Sequence, residues 1–256
     1  MSAIVAARRK STPSMNDVRR LFENVYGAAV DNVPGLDIGR AYGGADPASP
    51  YGGDVVDVFR FGNGLTSIAV IDISGHGMHA ATYAGLAKHA LRAYASQGLD
   101  ALDAVRALNH LCIETCAFER ESEFFATAFF AIVDAQRRSM KYVAAGHEAA
   151  CLVRGRSRRF LEPTGPMLGL CDDDQAFDQN IVALEFGDII AAVTDGFTEA
   201  RNAQLEFLGP GALADVIERN REEAAEALAH AIVLRAFTHG GRRLADDVAA
   251  AVLRIT

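Results

Sequence analysis

The stretch VVDVFRFGNGLTSIAVIDISGHGMHAA, residues 55–81, decides how the chain is read. Two apolar runs, VVDVFRF and LTSIAVIDI, flank a Gly62-Asn63-Gly64 turn, the pattern of a tight β-hairpin. The second run reaches Asp72 at its end, Ser74, Gly75, His76 and Gly77 follow, and from Met78 to about Gln97 the pattern is helical and Ala-rich. A carboxylate at the mouth of a buried strand, beside a glycine-rich turn, needs a chemical reason.

Outward from this stretch the chain alternates in blocks. Upstream, NVPGLDIGRAY begins with a Pro-Gly turn and then alternates like a strand. Residues 15–30 place Val18, Leu21, Phe22 and Val25 with helical spacing, behind Asn16 or Asp17 as N-cap, and residues 1–14 are a polar lead expected to be disordered. Downstream, Gly98 breaks the first helix and Asp100 caps a second that runs to about Arg120. Strand-like runs then cover 124–134, 140–146, 149–155 and 158–163, with a loop over 164–174 and strands near 178–185 and 188–194. Helices near 209–219 and 222–238 precede DDVAAAVLRI, a last strand. Strands and helices in blocks, without strict alternation, predict an α+β domain of two mostly antiparallel sheets packed face to face and flanked by helix pairs.

Bulk composition narrows the function. The 256 residues are 50% hydrophobic with a net charge of −8, which does not favour a nucleic-acid partner. One dense basic cluster, Arg8-Arg9-Lys10, lies in the polar lead. No apolar run reaches the roughly 18 residues of a spanning helix, and no signal-peptide pattern opens the chain, so no membrane partner and a cytoplasmic location are expected. The four cysteines, Cys112, Cys116, Cys151 and Cys171, form neither a CxxC nor a metal-ligand set and read as small buried side chains.

The acidic residues share one peculiarity. Asp54 stands just before a strand, behind Gly52-Gly53; Asp72 closes one; Asp195 closes another and is followed by Gly196; Asp246 and Asp247 open the last. Each could be an ordinary turn residue, yet together at strand ends they would converge on one sheet edge. Clustered carboxylates repel unless protonated or neutralised by cations, and an all-oxygen set points to Mg²⁺ or Mn²⁺. Glycines 52, 53, 75, 77 and 196 permit tight turns and close approach, and carbonyls beside Asp72 become further ligand candidates. His76 and His79 lack the third ligand and the HExxH spacing of a zinc site.

YGGDVVDVF, VIDISGHGMHAA, FATAFFAIVD, AAGHEAA, PTGPMLGL, VTDGFTEARN and the terminal DDVAAAVL occur here in the order found in bacterial PPM (PP2C-like) serine/threonine phosphatases. The chain resembles their RsbU/SpoIIE-type branch over roughly residues 34–256, with 15–33 as an N-terminal helix or linker. The resemblance implies an α-β-β-α sandwich and two divalent cations, Mn²⁺ or Mg²⁺. It implies Asp54, Asp72, Asp195 and Asp246 as metal-site residues, with Asp247 the alternative to Asp246. Asp72 would bridge the ions, with the Ile73 backbone carbonyl a neighbouring ligand. Gly53, Ser74, Gly75, His76 and Gly196 would shape the turn or meet the phosphate. The implied reaction is direct attack of metal-activated water on phosphoserine or phosphothreonine.

The implied substrate is a phosphorylated STAS-domain anti-anti-sigma factor, with the 15–30 helix mediating homodimerisation or a sensor contact. Three departures stand out. Glu148-Ala149 follow His147 where Asn-Pro is common. Ser74 stands where eukaryotic relatives carry a His, so no general-acid role transfers to His76. Only about 34 residues precede the resemblance, with no sensor domain among them. The competing reading is a pseudophosphatase, a non-catalytic module that keeps the fold and binds a partner.

Overall fold

The computed structural model describes residues 33–45, 52–62, 64–118 and 124–256. The polar lead and the 15–30 helix lie outside these described residues. Ten strands make two five-stranded sheets, and every pairing between them is antiparallel. The first sheet has the order β1 (Leu36–Gly43), β10 (Val248–Ile255), β9 (Ile189–Val193), β6 (Ala150–Arg154), β7 (Ser157–Leu161). The second runs β2 (Val55–Phe61), β3 (Leu65–Ile73), β4 (Ala126–Asp134), β5 (Ser139–Ala145), β8 (Asn180–Ala183). Helices α1 (Gly77–Ser96) and α2 (Ala101–Phe118) cover the second sheet; α4 (Gly211–Arg219) and α5 (Ala225–His239) cover the first. A one-turn helix, α3 (Asp195–Thr198), follows β9. No helix among the described residues is long and apolar enough to cross a membrane.

The expected α-β-β-α sandwich follows from strands that are apolar on both faces. In β3, Ile68 and Val70 enter the core between the sheets, whereas Ala69, Ile71 and Ile73 pack under α1 and α2. In β10, Ala251, Leu253 and Ile255 face the other sheet, and Val248, Ala250 and Val252 pack under α4 and α5. Period-two alternation therefore produces continuous apolar runs, because both faces of each central strand are covered. Small residues let the helices come close: Ala80, Ala84 and Ala87 line the inner side of α1. A Cβ on Gly39 of β1 would stand 2.0 Å from the Ala225 carbonyl oxygen at the start of α5. That start is delayed from the expected position 222 to Ala225, whose N–H donates to Asp37 Oδ2 at 2.9 Å.

The sequence-predicted caps and turns are largely in place. Asp100 Oδ1 accepts from the N–H groups of Leu102 and Asp103, each at 3.1 Å, at the start of α2. Gly75 and Gly77 both sit at positive φ, 93° and 72°, where the chain leaves β3 and enters α1. His76 occupies the N-cap position but makes no side-chain cap bond. Cys112 and Cys151 are buried, and burial pushes their thiols up to about 12 and about 11, the state of inert core residues.

One buried ion network fastens α1 to β2. Asp57 accepts from Arg92 Nε at 2.7 Å and Nη2 at 2.6 Å, and Lys88 Nζ lies 3.3 Å away with no exposed side-chain surface. Burial holds the Lys88 ammonium below its ordinary range, against the pull of Asp57. Because β2 follows Asp54 and α1 follows the Asp72 turn, the network fixes two borders of the sheet end. Asp57→Ala is expected to destabilise the fold by about 3–5 kcal/mol in denaturant melts, since it removes the buried carboxylate that Lys88 and Arg92 face. The Asp57→Leu/Lys88→Met double variant is expected to recover part of that loss.

Candidate metal centre

A buried side-chain hydrogen bond links the two sheets where β2 begins and β9 ends, beside the end of β3 and the start of β10, and the candidate carboxylates sit at this seam. Asp54 is buried just before β2, and Asp72 is the penultimate residue of β3. The Ile73 N–H donates to the Gly53 carbonyl at 3.3 Å, which brings the two segments side by side. A Cβ on Gly53 would stand 2.3 Å from the Ile73 carbonyl oxygen, so only glycine permits the approach.

From the other sheet, Thr194 Oγ1 donates to Asp54 Oδ2 at 2.6 Å and accepts from the Ala249 N–H at 2.9 Å. Asp195 does not close its strand as expected: β9 ends at Val193, and Asp195 opens α3, where its carbonyl accepts from the Glu199 N–H at 2.7 Å. The cause lies at Gly196, where a Cβ would meet the Asp247 carbonyl oxygen at 1.9 Å. The chain turns there, against the start of β10.

The adjacent aspartates differ. Asp247 points back into the loop layer: its Oδ1 accepts from the Ala45 N–H at 2.8 Å, and its Oδ2 lies 1.5 Å from where a Gly52 Cβ would be. Asp246 is exposed, and its Oδ1 accepts from the Asp247 N–H at 2.8 Å. Ser74 is half-buried with its N–H donating to the Phe125 carbonyl at 2.9 Å, and Gly75 and His76 are exposed beyond it.

These carboxyls act on one another. Asp54 is driven well above the usual carboxylate range by burial and then by the Asp72 charge, partly offset by the Thr194 hydroxyl. Asp72 rises to about 7, through burial and then the Asp195 charge, with Asp54 within hydrogen-bonding reach of it. Asp195 rises through burial and then the Asp246 charge. Among the described residues no three Asp, Glu, His or Cys side chains already close around a single point. Hard cations such as Mg²⁺ keep several waters and accept backbone carbonyls, so one or two carboxylates per ion suffice. An oxygen-only cluster in which Asp72 and Asp195 raise Asp54, Asp195 raises Asp72 and Asp246 raises Asp195 fits that chemistry, because a cation would relieve the repulsion directly.

Two polar features of the seam were not singled out from the sequence. Thr194 stands in VTDG, next to an aspartate that drew the attention, and nothing local marks its hydroxyl as the link between sheets. His147 is buried with Nδ1 2.8 Å from Thr127 Oγ1, and Thr127 pairs with Asp72 across β3 and β4. Burial, opposed by the Val193 backbone, brings His147 down to about 4, so its ring is neutral at physiological pH.

The raised carboxyls set the direction of a pH effect. A carboxyl with a raised folded-state pKa favours folding at low pH and loses that contribution as pH rises from its ordinary value of 3.8 towards about 7, the Asp72 value. The cation-free protein is therefore expected to melt at lower temperature at pH 8 than at pH 5.5. Saturating Mg²⁺ is expected to raise the melting temperature at both, and more at pH 8, where protons compete less. No Mg²⁺-dependent shift at either pH would contradict the fit. Gly52→Ala, which displaces Asp247, is expected to cost about 1–3 kcal/mol and to weaken the Mg²⁺ response in the same melts.

Comparison with known proteins agrees with this fold. The family model "Stage II sporulation protein E (SpoIIE)" matches residues 62–256. The phosphoserine phosphatase RsbU of Bacillus subtilis is 27% identical over 236 residues, covering 91% of this chain and 67% of that protein. The RsbU and RsbW domains of a Mycobacterium tuberculosis protein superpose with a TM-score of 0.74 at 27% identity, covering 87% of this chain and 60% of that one. The PP2C phosphatase domain of SpoIIE from B. subtilis, with a fragment of its regulatory domain, superposes with a TM-score of 0.74 at 17% identity, covering 86% and 63%, a likeness of fold. The chain spans between 32% and 67% of the length of the curated relatives it matches. With the family model covering most of its length, the chain belongs to the SpoIIE family of PP2C-like phosphatases.

Proposed function

We propose that this chain is a Mg²⁺- or Mn²⁺-dependent protein phosphatase acting on phosphoserine or phosphothreonine, with residues 34–256 as the catalytic domain. The observation that carries the reading is the seam itself: Thr194 ties Asp54 to the other sheet, Ile73 pairs with Gly53, and there the Asp72 and Asp195 charges raise Asp54 while Asp195 raises Asp72. Asp72, central to that coupling, would hold two ions together, with Asp54, Asp195, Asp246 and the Ile73 carbonyl completing the set. The exposure of Asp246, and the engagement of Asp247 with Ala45 and the Gly52 backbone, support Asp246 as the ligand and Asp247 as the residue that closes the loop over it.

Divalent ions held there by Asp54, Asp72, Asp195 and Asp246 would lower the pKa of water and neutralise phosphoryl charge. The protein's own contribution is position. Thr194 holds Asp54 in one orientation, Gly53 lets the Ile73 carbonyl come close, and the Gly75–Gly77 turn after Asp72 is open to solvent, where Ser74, His76 and Gly196 would shape the turn or meet the phosphate. The kinship with RsbU, a phosphoserine phosphatase, supports a serine-phosphorylated STAS-domain protein as substrate, within a partner-switching pathway. The 15–30 helix would serve self-association or contact with a sensor.

Hydrolysis of p-nitrophenyl phosphate is expected to require Mn²⁺ or Mg²⁺, to stop on addition of EDTA, and to fall at least about a hundredfold in Asp72→Asn with the fold intact by circular dichroism. A folded wild type with no metal-stimulated activity would favour the non-catalytic binding module. Activity that survives Asp72→Asn would move the site elsewhere.

A further inference from the structure

Beside the carboxylate seam lies a surface that the proposed chemistry does not use. Two segments leave the seam on adjacent sides. One is the hairpin after α3, closed by the Leu208 N–H to Ala200 carbonyl bond at 2.9 Å and the Asn202 N–H to Glu206 carbonyl bond at 3.1 Å. The other is the C-terminal end of α5 with the loop that runs on to Asp246. His239 Nε2, 3.0 Å from the Glu206 carbonyl oxygen, ties the two together. The Arg242 N–H donates to the Phe237 carbonyl at 2.8 Å, which folds the loop back over the helix end.

The joined surface is apolar where solvent reaches it. Leu205 is 71% exposed, Leu234 60%, Phe207 54% and Phe237 37%. Leu234 and Phe237 share the outer face of α5 by their spacing of three. Leu205 is the sharper anomaly. A bulky non-glycine residue is held at a φ of +64° with its side chain in water, while Asn202 Oδ1 fixes the tip by accepting from the Gln204 and Glu206 N–H groups at 2.9 and 3.0 Å. A left-handed leucine costs backbone energy, and its exposure returns nothing in the isolated chain.

The chain carries −8 overall, yet this rim presents three exposed arginines, Arg201, Arg242 and Arg243, beside the Glu206 carboxylate, and none of the three is ion-paired to a carboxylate among the described residues. Arg201 instead lies over the Phe207 ring, 4.5 Å from its centroid. Three cations bordering an apolar patch, contiguous with a carboxylate centre, match an anionic partner that also carries apolar surface. The patch extends back along α5 from Gly240 to Leu234, about 9 Å at 1.5 Å per residue, beyond the reach of a phosphoserine side chain alone.

We infer that the α5 end, its following loop and the Arg201–Phe207 hairpin form the docking surface for the folded phosphoprotein whose phosphate enters the seam. Leu205, Phe207, Leu234 and Phe237 bury its apolar surface, and the three arginines meet the acidic surface around its phosphate. This inference rests on the phosphatase reading above and deepens it.

The test uses the full chain with two substrates, p-nitrophenyl phosphate and a STAS-domain protein of the same organism phosphorylated on serine. Leu234→Asp/Phe237→Asp is expected to raise KM for the phosphoprotein at least about tenfold and to leave p-nitrophenyl phosphate hydrolysis unchanged. Arg242→Glu/Arg243→Glu is expected to raise the same KM and to flatten its dependence on salt. Leu205→Gly separates docking from folding: the melting temperature is expected to hold or rise, while KM for the phosphoprotein rises severalfold. Unchanged phosphoprotein KM in all three variants would overturn the docking surface and leave the phosphatase reading intact. Loss of p-nitrophenyl phosphate hydrolysis in the wild type would overturn the phosphatase reading itself. A concentration-dependent dimer abolished by Leu234→Asp/Phe237→Asp, or anionic-vesicle binding abolished by the arginine pair, with phosphoprotein KM unmoved, would reassign the surface to a second copy or to lipid.

Discussion

A single hydrogen bond joins the two halves of the sandwich at the place where they must agree. Thr194, at the end of β9, donates to Asp54, ahead of β2, and the same hydroxyl accepts from the first residues of β10. Asp54 therefore reports the position of one sheet to the other, and the placement of Asp72 and Asp195 relative to it follows. The apolar core between the sheets holds the two layers together, and this contact sets Asp54 close enough to Asp72 and Asp195 for their charges to raise it. The fold stores an electrostatic debt at its seam that a divalent cation is suited to discharge.

The borders of the seam obey the same logic. Where carboxylates must approach the backbone, the chain supplies glycine: Gly52 against Asp247, Gly53 against Ile73, Gly196 against the Asp247 carbonyl. Where the elements that carry them must not slide, it supplies buried pairing, as in the Asp57–Lys88–Arg92 network between β2 and α1. Rigidity around a strained centre is what preorganisation requires, because a site that relaxes its own repulsion has less affinity left for the ion.

Local signals carried much of this architecture. The β2–β3 hairpin and the helix after it were legible from alternation, the Gly62–Gly64 turn and the change of period at Met78, and the block order of elements was enough for a two-sheet sandwich. What alternation could not reveal was partnership at long range. β1 pairs with β10 from the opposite end of the chain, a contact that no local pattern encodes. Asp195 reads as the last residue of a strand because the apolar run before it is unbroken; its turn into α3 is imposed by Asp247, fifty-two positions away. Asp246 and Asp247 are indistinguishable as neighbours in sequence, and only the loop at Ala45 separates their roles. The Thr194 link and the pairing of His147 with Thr127 were not legible for a related reason: a hydroxyl or a neutral ring inside an apolar stretch gives no sign of its partner.

The central claim is that these carboxylates hold two cations in one shared site, with Asp72 between them. Electron paramagnetic resonance of the Mn²⁺-loaded protein addresses that directly. Two ions about 3.5–4 Å apart give an exchange-coupled dimanganese spectrum, saturating at two equivalents and lost in Asp72→Asn. A spectrum of isolated Mn²⁺ only, or a coupled spectrum untouched by Asp72→Asn, would contradict it.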